Sequence, residues 1–362
     1  MINYKKILNK KKILVTGHTG FKGSWLVTWL VELGARVVGL SNKIPSNPSH
    51  YKFLNLNKKI KNKRTDIRNL QAVKNIFLNF QPDFVFHLAA QSLVKESYKD
   101  PLKTWSTNTL GTISILESLR LLRKKCVVVI ITSDKVYENF EIKRGYSEKD
   151  RLGGKDPYSS SKAAADIAIK SYVNSFFSNV NNNIFVATAR AGNVIGGGDW
   201  SSDRLIPDCV KSWSQKKKVL IRSPNSTRPW QHVIEAVYGY IILAANLYKN
   251  PRLHGEAFNF GPTNSKNYNV ISVVELMKNY WKDVNWYLSQ KKVKTFKEFS
   301  LLKLNSNKAK KLLKWRSILT IKENIFLVAN WYKNFYLNRK QAFKLTTNQI
   351  KEYQKLLHER KL

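Results

Sequence analysis

Short apolar runs separated by amphipathic stretches dominate the chain. Lys12–Thr16, Ala35–Leu40, Asp83–Leu88, Val127–Thr132 and Ile184–Arg190 have the length and β-branched content of buried strands. Between the first two, Trp25, Leu26, Trp29, Leu30 and Leu33 recur at helical spacing, and Gly34 is placed to cap that helix. Residues 101–122 read as a further helix. Lys162–Lys170 (KAAADIAIK) is strong helix-forming material entered just after Pro157. Strand and helix alternating in this rhythm predict an α/β fold built on a doubly wound parallel sheet. The apolar helical stretch Ala236–Leu247 reads as a return to that sheet. The expected division is a first domain over 1–195, with 230–260 returning to it. A smaller α/β substrate lobe spans 196–229 and 261–340, and a charged terminal helix spans 341–362.

The first strand runs directly into Gly17-His-Thr-Gly20-Phe-Lys-Gly23 and then a helix, the context a dinucleotide site requires. Gly17 permits the tight turn, Gly20 lets backbone approach a pyrophosphate, and Gly23 lets helix pack on strand. Free N–H groups and the positive dipole end of the helix complete a phosphate site. After the second strand an NAD-preferring site often carries an acid, but here Ser41-Asn42-Lys43 follows. Lys43 or Arg36 could take a 2′-phosphate, which leaves NADP open beside NAD. Asp66-Ile67 lies where a carboxylate could meet the adenine amino group.

Tyr158 and Lys162 are four apart and share a helix face. An ammonium beside a phenol favours the phenolate and so makes a tyrosine a general base. The spacing alone is common by chance, but here it follows a dinucleotide-type turn and the segment Thr132-Ser-Asp-Lys135. His87, at the end of its strand, reads as a satisfied structural histidine. The cluster Gly196-Gly-Gly198 marks the exit toward the second lobe. Asp199, Trp200, Arg204, Arg222, Arg228, Trp230 and His232 follow it, types suited to phosphate pairing and base stacking.

Composition narrows the class. The chain has 362 residues, 43% hydrophobic and 12% aromatic, which fits a folded protein with a full core. No apolar run approaches the roughly 18 to 20 residues needed to cross a bilayer, and residues 1–12 lack a signal-peptide core, so a soluble cytoplasmic protein is expected. Cys126 and Cys209 make no disulfide framework, and no metal-ligand spacing is seen. The net charge of +39 raises nucleic-acid binding, but the lysines are scattered and accompany no recognition motif. A compositional bias that also attracts anionic nucleotides explains the charge better.

Taken together, TGxxGxxG at 16–23, Asp66-Ile67, His87-Leu-Ala-Ala90 and YxxxK at 158–162 resemble the extended short-chain dehydrogenase/reductase superfamily of Rossmann-type enzymes. Gly17–Trp25, Thr132–Asn139, Gly196–Trp200, Asp203–Asp208 and Thr227–Val233 are similar to its branch of CDP-glucose 4,6-dehydratases. The resemblance implies tightly bound NAD, CDP-glucose as substrate and a homodimer formed through the Pro101 and Tyr158 helices. Cofactor contacts are implied for Gly17, Thr19, Gly20, Phe21, Lys22, Gly23, Asp66, Ile67, Leu88, Ala89, Ala90, Asn108, Tyr158 and Lys162. Gln91, Ser92, Asn193, Arg204, Arg228 and His232 are implied for the substrate, with no metal. Ser133, Asp134, Lys135, Tyr158 and Lys162 are the implied catalytic set. Related dehydratases carry an acid followed by glutamate, whereas here Asp134 is followed by Lys135, the usual residue in the CDP branch. A 4-epimerase, another nucleotide-sugar dehydratase and, more distantly, a non-catalytic nucleotide- or nucleic-acid-binding protein are the rival readings. Asp134-Lys135 weighs against an epimerase, which eliminates nothing.

Overall fold

The computed structural model describes residues 2–179, 181–262, 268–281, 284–288 and 301–360. Parts of the expected second lobe (263–267, 282–283 and 289–300) and the end of the terminal helix (361–362) lie outside the described residues.

Seven parallel strands form the central sheet: β1 (Lys12–Thr16), β2 (Arg36–Ser41), β3 (Lys61–Arg64), β4 (Phe84–His87), β5 (Cys126–Ile131), β6 (Ile184–Ala191) and β7 (Ala257–Phe260). Their spatial order is β7-β6-β5-β4-β1-β2-β3, the doubly wound arrangement that alternation predicts. Successive strand residues face opposite layers. Ile13, Val15, Val127 and Val129 enter one apolar core, while Leu14, Val128 and Ile130 enter the other. Both faces are covered, so β5 is buried at every position and reads as one continuous apolar run.

The first core is closed by α1 (Phe21–Glu32) and by helices Val233–Lys249 and Ala342–Glu359. The second is closed by helices Leu70–Phe80, Gly111–Leu119 and Pro157–Phe176. The expected helix over 101–122 is interrupted by a π-helical turn at Ser106–Leu110. The terminal helix is amphipathic, not merely charged: it buries Ile350, Tyr353 and Leu357, and Tyr353 meets Trp29 of α1 edge-on at 6.1 Å.

After β6 the chain leaves the sheet and makes small two-stranded pairings, Val219–Ile221 with Trp286–Leu288 and Thr227–Arg228 with Tyr268–Asn269. It re-enters through helix Val233–Lys249 and places β7 beside β6, with Ala257 opposite Thr188. The carboxyl ends of β1, β4, β5 and β6 thus open toward this outer segment, where ligands bind in such sheets.

Candidate active site

The glycine turn is built by close backbone contact. Gly17 has φ +73°, and a Cβ there would lie 2.7 Å from the Ala89 nitrogen. A Cβ on Gly23 would lie 2.2 Å from the Gly17 carbonyl oxygen, so helix and turn tolerate only glycine at both positions. Gly20 caps α1 with no side-chain hydrogen bond, leaving the first N–H groups of a 12-residue helix to an outside acceptor. These features fit a dinucleotide pyrophosphate. Thr19 is spoken for: its Oγ1 donates to the Lys43 carbonyl at 2.7 Å, which ties the end of β2 to the turn.

Arg36 is corrected by the register. It pairs with Lys12 at the start of β1, the end of the sheet opposite the glycine turn, and cannot reach a 2′-phosphate there. Asp66 lies beside the end of β2, receiving Asn42 Nδ2 at 3.3 Å. Arg68 hydrogen-bonds it in a bidentate pair and holds its carboxyl at about 2. Ile67 is buried under Gly111, where a Cβ would lie 2.5 Å from Ile67 Cδ1. His87 is the satisfied residue expected, with Nδ1 at 2.7 Å from Thr16 Oγ1 and Nε2 at 3.1 Å from Thr112 Oγ1.

Asn108 sits in the π turn and works as a clamp. Its amide donates to the Gln91 carbonyl (3.0 Å) and Ser161 Oγ (2.9 Å), and its oxygen accepts from the Gln91 nitrogen (2.8 Å). The Gln91 side chain bonds Leu93 and Thr104, so it braces the segment that carries Leu88, Ala89, Ala90 and Ser92.

Beyond the turn, the catalytic candidates converge. Asp156 caps helix Pro157–Phe176 through the Ser159 nitrogen, which starts the helix where Tyr158 and Lys162 share a face. Ser133, at the carboxyl end of β5, donates to Asp134 Oδ1 at 3.0 Å and accepts the Lys135 nitrogen at 3.2 Å. Tyr158 is buried close to the Ser133 side chain. Burial pushes its phenol up to about 12, opposed by Ser133 and the charge of Arg204. The Lys162 ammonium turns to the Ile131 carbonyl at 3.2 Å, and burial together with Lys22 lowers it to about 8.

Asp134 is 5% exposed, and burial pushes its carboxyl up against the opposing charges of Lys135 and Lys22. A Cβ on Gly192 would lie 2.9 Å from Asp134 Oδ2, so glycine at the exit of β6 makes room for the carboxylate. Lys22 leaves the dinucleotide turn in this direction: its Nζ donates to the Gly192 carbonyl at 3.4 Å. Its ammonium is lowered to about 8, first by burial and then by Arg204, against the pull of Asp134 and Asp199.

The outer segment contributes less than its composition predicts. Arg204 pairs with Asp199 at 3.3 Å and acts on Tyr158, so it belongs to the site. Arg228 is half-buried, its guanidinium donating to the Thr227 carbonyl, and Asn193 is exposed. Arg222 is drawn outward by Asp203 (2.7 Å) and Asp208 (3.1 Å). His232 is fully buried, accepts the Ile234 nitrogen at 3.2 Å as a helix cap and lies edge-on to Trp25, so it presents no open face to a ligand. Trp200 is 2% exposed, packed among Trp331, Tyr332 and Phe335 rather than poised to stack on a base.

Comparison with known proteins agrees with this geometry. The sequence profile of the GDP-mannose 4,6 dehydratase family matches residues 14–326. The CDP-glucose 4,6-dehydratase of Salmonella typhimurium is 41% identical over 333 residues, covering 91% of this chain and 92% of that protein. The CDP-paratose 2-epimerase of Salmonella typhi is 25% identical, covering 74% of this chain and 84% of the relative. Among solved structures, a dTDP-glucose 4,6-dehydratase from Bacillus anthracis in complex with NAD has a TM-score of 0.72 at 21% identity, covering 90% of this chain and 97% of its own. An epimerase from Methanothermobacter thermautotrophicus has a TM-score of 0.78 at 22% identity, covering 94% and 97%; both likenesses concern the fold. Profile, relative and sheet topology agree: the chain belongs to the GDP-mannose 4,6-dehydratase family.

Proposed function

We propose that the protein is an NAD-dependent CDP-glucose 4,6-dehydratase, converting CDP-D-glucose to CDP-4-dehydro-6-deoxy-D-glucose. The observation that carries this reading is the convergence of an alcohol-oxidation base, Tyr158, with a separate buried acid, Asp134, around Ser133 beside the dinucleotide turn. Similarity to the Salmonella typhimurium enzyme supports CDP-glucose as the substrate.

Bound NAD supplies what no side chain has, a hydride acceptor at C4 that gives the hydride back at C6. The turn at Gly17–Gly23, with Asp66 and Ile67 at its adenosine end, would hold it. Tyr158 takes the proton of the C4 hydroxyl, Ser133 hydrogen-bonds the same oxygen, and Lys162 holds the ribose. The resulting ketone acidifies C5–H. Lys135 removes that proton and later returns it, while Asp134 protonates the departing C6 hydroxyl. Arg204 and Arg228 bind the nucleotide diphosphate, and Asn193 contacts the sugar phosphate.

The outer segment, 196–229 with 261–340, forms the nucleotide-sugar lobe over the first domain. Exposed Leu102 (82%) on the Pro101 helix, Leu110 (58%) at the end of the π-helical turn and Ile167 (58%) on the Tyr158 helix support a homodimer through these elements. No helix among the described residues is long and apolar enough to cross a membrane, in keeping with a cytoplasmic enzyme.

The test is to incubate purified protein separately with CDP-glucose, dTDP-glucose and GDP-mannose and to follow the alkali-induced absorbance of a 4-keto sugar. A signal with CDP-glucose is expected. Inertness toward all three overturns the reading, and preference for another nucleotide moves it to a sister enzyme.

A further inference from the structure

Between Glu32 and Asp66 the chain carries eight lysines and arginines and no acid. This stretch supplies β2, β3 and the connection between them, at the adenosine end of the dinucleotide turn. A site that takes NAD and refuses NADP often places an acid at the end of β2, where it holds the ribose and repels a 2′-phosphate. Here β2 ends in Ser41, and the first acid beyond it, Asp66, is taken by Arg68 at 2.8 Å.

A cavity of about 370 Å³ lies in this stretch, lined by Ile44, Tyr51, Lys52, Asn57, Asn62 and Arg64. Hydrogen bonds tie its wall to the glycine turn. Asn62 Oδ1 accepts from Tyr51 Oη at 2.6 Å and from His18 Nε2 at 2.8 Å, which leaves His18 Nδ1 to accept the Ser41 hydroxyl at 3.0 Å. The His18 ring lies against Gly39 of β2, where a Cβ would come within 2.4 Å of it. Arg64 stands opposite Ser41 in the parallel register, so both side chains leave one face of the sheet at the carboxyl end of β2. Lys43 is held beside the turn by the Thr19 hydrogen bond to its carbonyl, and the next residue, Ile44, is part of the cavity wall. Lys43, Lys52 and Arg64 are all exposed, so their charges are open to an incoming anion.

We propose that this cavity is a 2′-phosphate site: Arg64, with Lys43 and Lys52, binds the 2′-phosphate of NADP, and the dinucleotide turn accepts NADP as well as NAD. Arg64 supplies the fork of N–H donors that suits a phosphate, and the two lysines add point charges. The inference rests on the dinucleotide reading of the turn and, for its consequence, on the reaction proposed above. In that reaction the hydride leaves C4 and returns at C6, so the cofactor ends each turnover in its starting redox state. A reaction with no net oxidation draws on neither nicotinamide pool and gains nothing by telling them apart. The 2′-phosphate is also at the far end of the dinucleotide from the reacting ring, so both cofactors serve the same chemistry.

The test is calorimetric titration of the full-length protein, stripped of bound nucleotide, with NAD and with NADP. NADP should bind within about tenfold of NAD. Arg64→Gln should weaken NADP about tenfold or more while NAD stays within about twofold, and Lys43→Gln and Lys52→Gln should act in the same sense but less. Lys249→Gln removes an exposed charge from the last residue of helix Val233–Lys249, beside the start of β5, and should change neither affinity. Adenosine 2′,5′-bisphosphate should displace NADP at least about tenfold better than adenosine 5′-monophosphate, which lacks only the 2′-phosphate. NADP weaker than NAD by about a thousandfold overturns the site, as does an Arg64→Gln protein that loses both cofactors equally. Inorganic phosphate that binds without competing with NADP overturns it in favour of a free-phosphate site. CDP-glucose left unaltered with either cofactor bound overturns the dehydratase reading and leaves the binding result standing.

Discussion

Two clusters of buried ionisable groups share helix Pro157–Phe176, and they are built on opposite plans. One turn after Lys162, Asp166 receives Arg190 through Nε (2.9 Å) and a terminal nitrogen (2.8 Å), and Thr132 Oγ1 at 3.0 Å. The other arm of Arg190 donates to the Tyr137 hydroxyl at 2.8 Å, which in turn donates to Asn259 Oδ1 at 2.7 Å. Each charge here has an opposite charge and directed hydrogen bonds. In the second cluster, Lys22, Asp134, Tyr158 and Lys162, the two ammonium groups donate to the Gly192 and Ile131 carbonyls and not to a carboxylate, and burial lowers both to about 8. The difference teaches which buried ions are scaffold and which are chemistry. Thr132, which directly precedes Ser133, is pinned by the satisfied cluster, so the first holds the second in place.

Removing a group from each cluster should separate these roles. Tyr158→Phe deletes the proposed base and should reduce turnover by about 10⁴-fold, while CDP affinity and thermal stability stay near wild type. Near-normal turnover would take Tyr158 out of the mechanism. Arg190→Met leaves the Asp166 carboxylate buried without its partner and should cost about 3 to 5 kcal/mol in denaturant unfolding. Adding Asp166→Leu should recover much of that loss, because two apolar groups replace a pair that is costly to desolvate. An Arg190→Met protein of unchanged stability would abolish the distinction drawn between the clusters.

What could be read from the chain beforehand follows the range of each interaction. The strands, the glycine turn and the Tyr158–Lys162 face depend on residues a few positions apart, and their pattern and spacing are visible in one dimension. The Asp166–Arg190 pair joins a helix to a strand across 24 residues and carries no local signal; only the position of Asp166, four after Lys162, hints at a shared face. Lys22 sits inside a dinucleotide motif, which hides that its side chain turns toward Gly192. His232 and Trp200 have the right chemistry for a nucleotide pocket, but burial decides their role, and burial is set by distant elements such as Trp25 and Trp331. Arg36 reads as adjacent to the cofactor until the parallel register places it at the far end of β2.

A third buried ion sharpens the contrast. Glu235, fully enclosed in helix Val233–Lys249, accepts the Ile318 nitrogen (2.6 Å), the Leu319 nitrogen (2.9 Å) and Ser317 Oγ (2.9 Å). It thereby anchors the segment leading into helix Ile321–Leu337, with backbone donors where Asp166 has a guanidinium. Burial outweighs those donors and raises its carboxyl from 4.5 to about 7. A folded value above the unfolded one means that the protonated form favours folding. Its contribution is complete below about pH 4.5 and is lost as pH rises through about 7. Glutamine mimics the protonated form, so Glu235→Gln should be more stable than wild type by about 2 kcal/mol at pH 8, with the gap closing near pH 5. Urea unfolding at the two pH values measures it. Parallel pH dependence of the two proteins would mean that backbone donors satisfy a buried carboxylate as fully as an arginine does.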